Sequence, residues 1–412
     1  MEIANNWKEL TLSSVATLKA RIGWQALRKD EYLRRGEFTL VTGTDFKDGF
    51  VNWKSCSYVD KARFSMDKNI QLKENDVLVT KDGTIGKVAI VRGINKPATL
   101  NSGVFVIRST SKDLSQEYLY LIFKSPYFKS YLSRITAGST ITHLYQKDFV
   151  YFNFPVPDIH EQKRFVSVFS NIDNLIHKTT KILEKKKNIK QGLMQELLTG
   201  KRRLPEFTKN WDGKYKKTDV GNIPIDWDIN CLKSFCTFFN GQAHEKFIDK
   251  MGKYKLINSK FISTEGGVYK NTNTCIQPLS KGDVVIVMSD IPNGKALAKT
   301  FFVESDEKYT LNQRIGGIRA RGCFDKFLYY ILNRNSYYLS FDSGTGQTNL
   351  RKENVLECPI VLPEKIEEQK AICAVLDEAN LEIATLSKKL GKYKKIKDGM
   401  MQTLLTGEIR LV

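Results

Sequence analysis

The side chains in this 412-residue chain best suited to gripping a ligand are hydroxyls, amides and lysines set among glycines. One such set, Thr80-Lys81-Asp82-Gly83-Thr84-Ile85-Gly86-Lys87, is answered later by Met288-Ser289-Asp290-Ile291-Pro292-Asn293-Gly294-Lys295. Glycine lets a backbone approach a phosphate closely, and lysine supplies the neutralising charge. Lys81, Thr84, Lys87, Ser289, Asn293 and Lys295 are therefore candidate contacts to a polyanion; the plain alternative is a hairpin with a solvated lysine. A second set, Ala137-Gly138-Ser139-Thr140-Ile141-Thr142-His143-Leu144, is answered by Ser343-Gly344-Thr345-Gly346-Gln347-Thr348-Asn349-Leu350. Here Ser139, Thr140, Thr142, Thr345 and Thr348 offer hydroxyls to phosphate oxygens. His143, Gln347 and Asn349 carry donors and acceptors that can read base edges. The alternative is a capped turn before a short helix. The two versions differ most at the polar positions and least at the glycines and the leucine, as related scaffolds reading different bases would.

Reaction chemistry is hard to place. An amino-methyltransferase holds its target amine with an Asn/Asp-Pro-Pro-aromatic loop, and no Pro-Pro occurs. Neither G-x-G-x-x-G nor G-x-x-x-x-G-K-[ST] is present, so no nucleotide or cofactor cradle is expected. His143, His160, His177 and His244 lack metal-ligand spacing with one another or with cysteine. Pro157-Asp158 followed by Glu161-Gln162-Lys163 resembles the PD…E-x-K pattern of metal-dependent nucleases. That site needs its acids on neighbouring strands, and two intervening residues cannot make the turn. At a helix start, Asp158 and Glu161 are better used to cap and complement the positive helix end. No catalytic, cofactor-binding or metal site is assigned.

Lys and Arg number 65 against 45 Asp and Glu, a formal charge of +20 concentrated in the globular stretches, which points to a polyanionic partner. A hydrophobic content of 41% is enough to build several cores and excludes a disordered chain. Seven cysteines without a C-x-x-C fit reduced thiols in the cytoplasm rather than a disulfide framework. The N-terminal residues carry no apolar signal region, and no run of 18 apolar residues exists, so no membrane association is expected.

What must position these loops is visible as an internal repeat. Leu193-Met-Gln-Glu-Leu-Leu-Thr-Gly-Lys-Arg-Arg-Leu204 returns 207 residues later as Met400-Met-Gln-Thr-Leu-Leu-Thr-Gly-Glu-Ile-Arg-Leu411, and Glu161-Gln162-Lys163 returns as Glu368-Gln369-Lys370 at the same offset. Upstream of each tail an apolar seam of alternating three- and four-residue steps predicts a long helix, about Ile159–Leu198 and Ile366–Leu405. Pro157 and Pro363 precede these helices, Gly200 and Gly407 close them, and Lys186, Lys190 and Lys397 interrupt their seams. Each helix would be unstable alone. Packed as an antiparallel pair they would span about 57 Å and hold two globular domains apart in pseudo-twofold relation; the alternative is that each folds back onto its own domain. Weaker echoes link the globular stretches: Trp7 with Trp227, Asp76 with Asp283, Thr99-Leu100-Asn101 with Thr310-Leu311-Asn312. Short β-branched runs such as Asp76–Thr80, Lys87–Arg92 and Asp283–Met288 predict strands, and residues 117–135 and 325–341 predict helices. The fold class expected is α+β: two mixed α/β domains at 1–157 and 225–362, helices within 158–200 and 363–412, and a linker at 201–224.

Two variable domains alternating with two helical repeats, each opened by Glu-Gln-Lys and closed by Leu-Leu-Thr-Gly, resemble the specificity subunit of type I restriction–modification systems over essentially the whole chain. The resemblance implies a non-catalytic target-recognition domain in each half, reading one part of a bipartite site in double-stranded DNA. The helices would set the spacer and dock two methyltransferase subunits, with motor/nuclease (restriction) subunits joining them. The other readings are a free-standing DNA-modifying enzyme and a non-DNA coiled-coil scaffold.

Overall fold

The computed structural model describes residues 7–136, 143–209, 211–291, 294–342 and 344–411. The chain divides into two compact units, Met1–Thr180 with Lys388–Val412, and Lys181–Ser387. Both are mixed helix and sheet.

In the first unit the strand Lys8–Thr11 pairs antiparallel with Asn153–Val156, so the chain leaving the domain lies beside the chain that began it. Its largest sheet is ordered Ala16–Ala20, Val104–Ser109, Val77–Thr80, Val88–Ile90, Phe50–Val51, Phe46–Lys47. Val77–Thr80 is central and buried along its whole length, as four consecutive non-charged residues with three β-branched members should be. A second sheet places Phe38–Val41 between Ser57–Val59 and Ala98–Leu100, the latter pairing parallel. Helices Gln116–Lys124 and Pro126–Thr136 divide the single helix expected at 117–135, with Ser125 between them. Phe123, Phe128, Tyr131, Phe149 and Phe152 form an aromatic centre whose ring centroids lie between 5.0 and 6.5 Å apart.

The second unit uses the same pairings. Trp227–Cys231 pairs antiparallel with Pro359–Pro363. A four-stranded sheet runs Cys236–Asn240, Ile315–Ala320, Val284–Val287, Thr300–Phe302, and a three-stranded one runs Lys270–Thr272, Tyr254–Ile257, Tyr309–Leu311 with its last pair parallel. The recurring Asp has a physical explanation. Asp76 and Asp283 are buried, and each takes a bidentate guanidinium from the neighbouring strand, Arg108 and Arg319, at 2.6–2.8 Å.

The two long helices are Ile159–Leu197 and Ile366–Thr403. Gly200 and Gly407 follow them with φ of +71° and +78°, left-handed caps that only glycine adopts without strain. Residues of both helices enter each core. Phe165, Phe169 and Ile172 are buried with Met401, Leu404 and Leu405 in the first unit, and Leu197 and Leu198 with Ile372, Cys373 and Leu376 in the second. Asp158 caps its helix as its position suggests, accepting from His160 N at 2.8 Å and Glu161 N at 3.0 Å.

Glu161 has a larger role than complementing the helix end. In the first unit Arg410 donates two bonds to Glu161, both 2.7 Å, and Trp7 Nε1 donates a third at 3.2 Å. In the second, Arg203 donates to Glu368 at 2.9 and 2.5 Å. The adjoining glutamines are fully buried. Gln162 accepts from Ser115 N at 2.9 Å and donates to Asp113 O and Pro157 O at 2.7 and 2.9 Å. Gln369 accepts from Phe324 N at 2.7 Å and donates to Pro363 O at 2.8 Å. Ser115 and Phe324 each begin a helix of the globular part, so Glu-Gln is the joint between long helix and domain.

Candidate nucleic-acid interface

In the first unit the buried strand Val77–Thr80 runs out into the glycine loop. Its exit is fixed by Lys81 N donating to Gly103 O at 2.9 Å and by Leu144 N donating to Lys81 O at 2.7 Å. These bonds bring the two candidate loops together, with Asp82 opposite His143 in an antiparallel bridge and their side chains in contact. Thr80, itself buried, folds the loop: its hydroxyl donates to Thr84 O at 2.5 Å and accepts from Lys87 N at 2.9 Å. At Gly86, φ is +77° and an added Cβ would lie 2.2 Å from Leu132 Cδ1, so glycine is required there. The loop presents Asp82, Thr84 and Lys87 to solvent, with Lys81 and His143 half-buried. The Lys81 ammonium lies 5.4 Å over Phe105, and the His143 ring is 4.6 Å from Tyr145.

The second unit builds the same frame with different side chains. Met288 N donates to Arg314 O at 3.2 Å and Leu350 N to Met288 O at 2.7 Å. Ser289 then pairs with Asn349 and Asp290 with Thr348. Gln347 Nε2 donates to Ser289 Oγ at 2.6 Å and reaches Asn349 Oδ1 at 3.4 Å. Asp290 organises the turn, accepting from Ile291 N, Ala296 N and Leu297 N at 2.7–3.0 Å. An added Cβ on Gly294 would meet its Oδ2 at 2.1 Å. Asp342 Oδ1 organises the other loop, accepting from Gly344 N and Thr348 Oγ1, both at 3.0 Å.

This register moves the loop correspondence by one residue. Only the glycine loop shifts: Met288 matches Lys81 rather than Thr80 and Ser289 matches Asp82 rather than Lys81, while Asn349 keeps its match with His143. The shift was hidden in the sequence because both loops contain an Asp near a Gly-Lys. Thr348 is buried with its hydroxyl turned to Asp342, so it supports the loop. Ser289 is half-buried, while Lys295, Thr345, Gln347 and Asn349 are exposed. Ser139, Thr140, Thr142 and Asn293 lie outside the described residues.

Sequence reasoning passed over the organisers Asp290 and Asp342, the cross-strand partner Asp82, and a buried support beneath each frame. Arg21 donates to Leu100 O at 2.9 Å and Thr99 Oγ1 at 3.2 Å, while His244 Nε2 lies 2.8 Å from Thr310 Oγ1. The recurrence of Thr-Leu-Asn was the available signal for that layer.

Among the described residues no group of three or more His, Cys, Asp or Glu could hold a metal ion. Burial pushes the Cys236 thiol up to about 11 and the Cys56 and Cys358 thiols up to about 12, away from nucleophilic thiolate. No helix among the described residues is long and apolar enough to cross a membrane. What the sites offer is a pair of strand-anchored loops per unit, rich in donors and lysines.

The type I restriction modification DNA specificity domain matches residues 4–188 and 224–397. The chain belongs to that family. Across 98% of its length this specificity-family chain is 26% identical to the MjaVIII specificity subunit of Methanocaldococcus jannaschii, covering 97% of that protein. It is 25% identical over its full length to 95% of the putative MjaX specificity subunit of the same organism. Two solved structures share the specificity fold. The type I S subunit of M. genitalium has a TM-score of 0.60 at 15% identity, with 98% of this chain and 97% of that one covered. A chain from a study of complex assembly and conformational transition in a type I system has a TM-score of 0.54 at 16% identity, covering 99% and 100%.

Proposed function

We propose that this chain is the non-catalytic, DNA-reading subunit of a type I restriction–modification assembly. Residues 1–157 and 225–362 are its target-recognition domains, each reading one half of a bipartite site in double-stranded DNA. The two long helices run antiparallel, relate the halves by a pseudo-twofold axis, set the unread gap and dock two methyltransferase subunits, with restriction subunits joining the complex. The observation that carries this reading is the pair of loops built on one hydrogen-bonded frame, Lys81–Leu144 in one unit and Met288–Leu350 in the other, in a chain of the specificity family. The helix arrangement is supported by contacts within each unit: Asp173 with Lys397, and Lys186 with Glu382.

Methylation mapping of the native genome tests the proposal. A split motif modified on both strands should vanish when the gene is deleted; an unchanged methylome would sink it. Log affinity for duplex should also fall with log salt by about 0.9 per phosphate contacted.

A further inference from the structure

Once the loops are aligned by hydrogen bonds, one cross-strand pair stands at the same place in both frames with different chemistry. In the first unit it is Asp82 and His143, whose side chains are in contact, Asp82 43% and His143 34% exposed. In the second it is Ser289 and Asn349, joined by the Gln347 amide. The backbone on either side is constant: Lys81 and Met288 donate to Gly103 O and Arg314 O, each just ahead of the neighbouring strand, and accept from Leu144 and Leu350. A constant frame carrying an exchangeable polar pair is what a reader needs if specificity is to change while the scaffold stays.

We infer that this cross-strand pair is the base-reading pair of each recognition domain, so that Asp82 is a specificity residue. The inference rests on the DNA-reading function proposed above. A carboxylate can accept a hydrogen bond from the exocyclic amine of cytosine, and an amide side chain suits the adenine N6/N7 edge. Asp82 stands between Lys81 and Gly83, with Lys87 exposed on the same loop. A carboxylate facing phosphates would be repelled; Asp82 instead lies against the His143 ring, an acid–imidazole pair whose hydrogen bonds can turn toward a base. In the second unit Asp290, the residue that sequence alignment would pair with Asp82, has its carboxylate committed to three backbone N–H groups and holds the turn instead.

The test uses the full chain co-expressed with its modification partners. Methylome mapping first fixes the split motif, and then the variants are mapped and titrated against duplexes. Asp82→Ser with His143→Asn, which transplants the second-unit pair, should alter one or two base pairs of one half-site and leave the other half-site and the gap unchanged. Asp82→Asn, a near-isosteric change that spares folding, separates reading from repulsion. A reading carboxylate predicts about tenfold or greater loss for the cognate duplex with scrambled duplex unaffected. Equal tightening on cognate and scrambled duplex means the acid only repels phosphate, and that overturns the inference. So does an unchanged motif in the transplanted variant. A genome with no split motif at all removes the underlying function as well, which distinguishes the two failures.

Discussion

Arg203 and Arg410 stand at matching places in the two Leu-Leu-Thr-Gly tails, yet their surroundings set different energies. The Arg203 side chain is 3% exposed, against Glu368 at 1%, with Asp226 adding two further bonds at 2.9–3.0 Å. Arg410 is 36% exposed against Glu161 at 5%. Removing one partner of a buried pair leaves an uncompensated charge. Arg203→Ala should therefore cost about 3–5 kcal/mol, and Arg410→Ala, screened by solvent, about 1–2 kcal/mol. Thermal melts of the two variants check the order; equal shifts would mean that burial does not set the cost. The motif residues were legible as helix starts and tails, because capping and seam spacing are local. Their pairing was not. Glu161 meets a guanidinium 249 positions away, and no local spacing encodes that. The one-residue shift in the glycine loops escaped for a related reason: backbone hydrogen bonds, not residue likeness, define which positions correspond.

At the scale of elements, the long helices were readable almost to the residue from their heptad seams, and the central strands from their β-branched runs. The loops resisted, since their shape depends on single carboxylates such as Asp290 and Asp342 reaching back to backbone donors. The glutamine joints make a prediction here. Gln162→Ala or Gln369→Ala leaves a buried helix-start N–H without its acceptor, at about 1–3 kcal/mol each. Hydrogen exchange at Ser115 or Phe324 should accelerate in the corresponding variant, and unchanged protection would show that the joint is dispensable. The seam lysine Lys397, paired with Asp173, behaves as a part-buried pair. Asp173→Leu alone should destabilise by about 1–3 kcal/mol, whereas Asp173→Leu with Lys397→Leu should be near neutral or stabilising. A double-mutant cycle in denaturant reads this directly. Backbone donors from Glu161 and His160 hold the Asp158 carboxyl below its ordinary value. Its contribution is therefore complete above the unfolded carboxylate range and fades as pH falls through the lowered value. An Asp158→Ala variant should lose about 1 kcal/mol near neutrality, with the gap to wild type closing in acid.

For the whole molecule, the proposed spacer can be lengthened. Inserting seven residues in register into both long helices adds about 10.5 Å, or roughly three base pairs of rise. The mapped motif should keep its two half-sites and widen its gap by about that amount; altered half-sites with a constant gap would contradict the ruler. A deletion of residues 388–412 should destabilise the first unit selectively, because it strips Met401, Leu404 and Leu405 from the core around Phe165 and Phe169 and leaves Glu161 without Arg410. Limited proteolysis that cuts first within residues 7–180 would be the expected signature. The same contact has a consequence for biogenesis. On the ribosome, domains usually complete themselves in the order in which they emerge. Here the amino-terminal globular part is synthesised early but waits for a strip of chain more than 200 residues downstream, made only after the entire second globular part. An interrupted translation product would thus expose an unfinished aromatic core to quality control rather than circulate as a folded half.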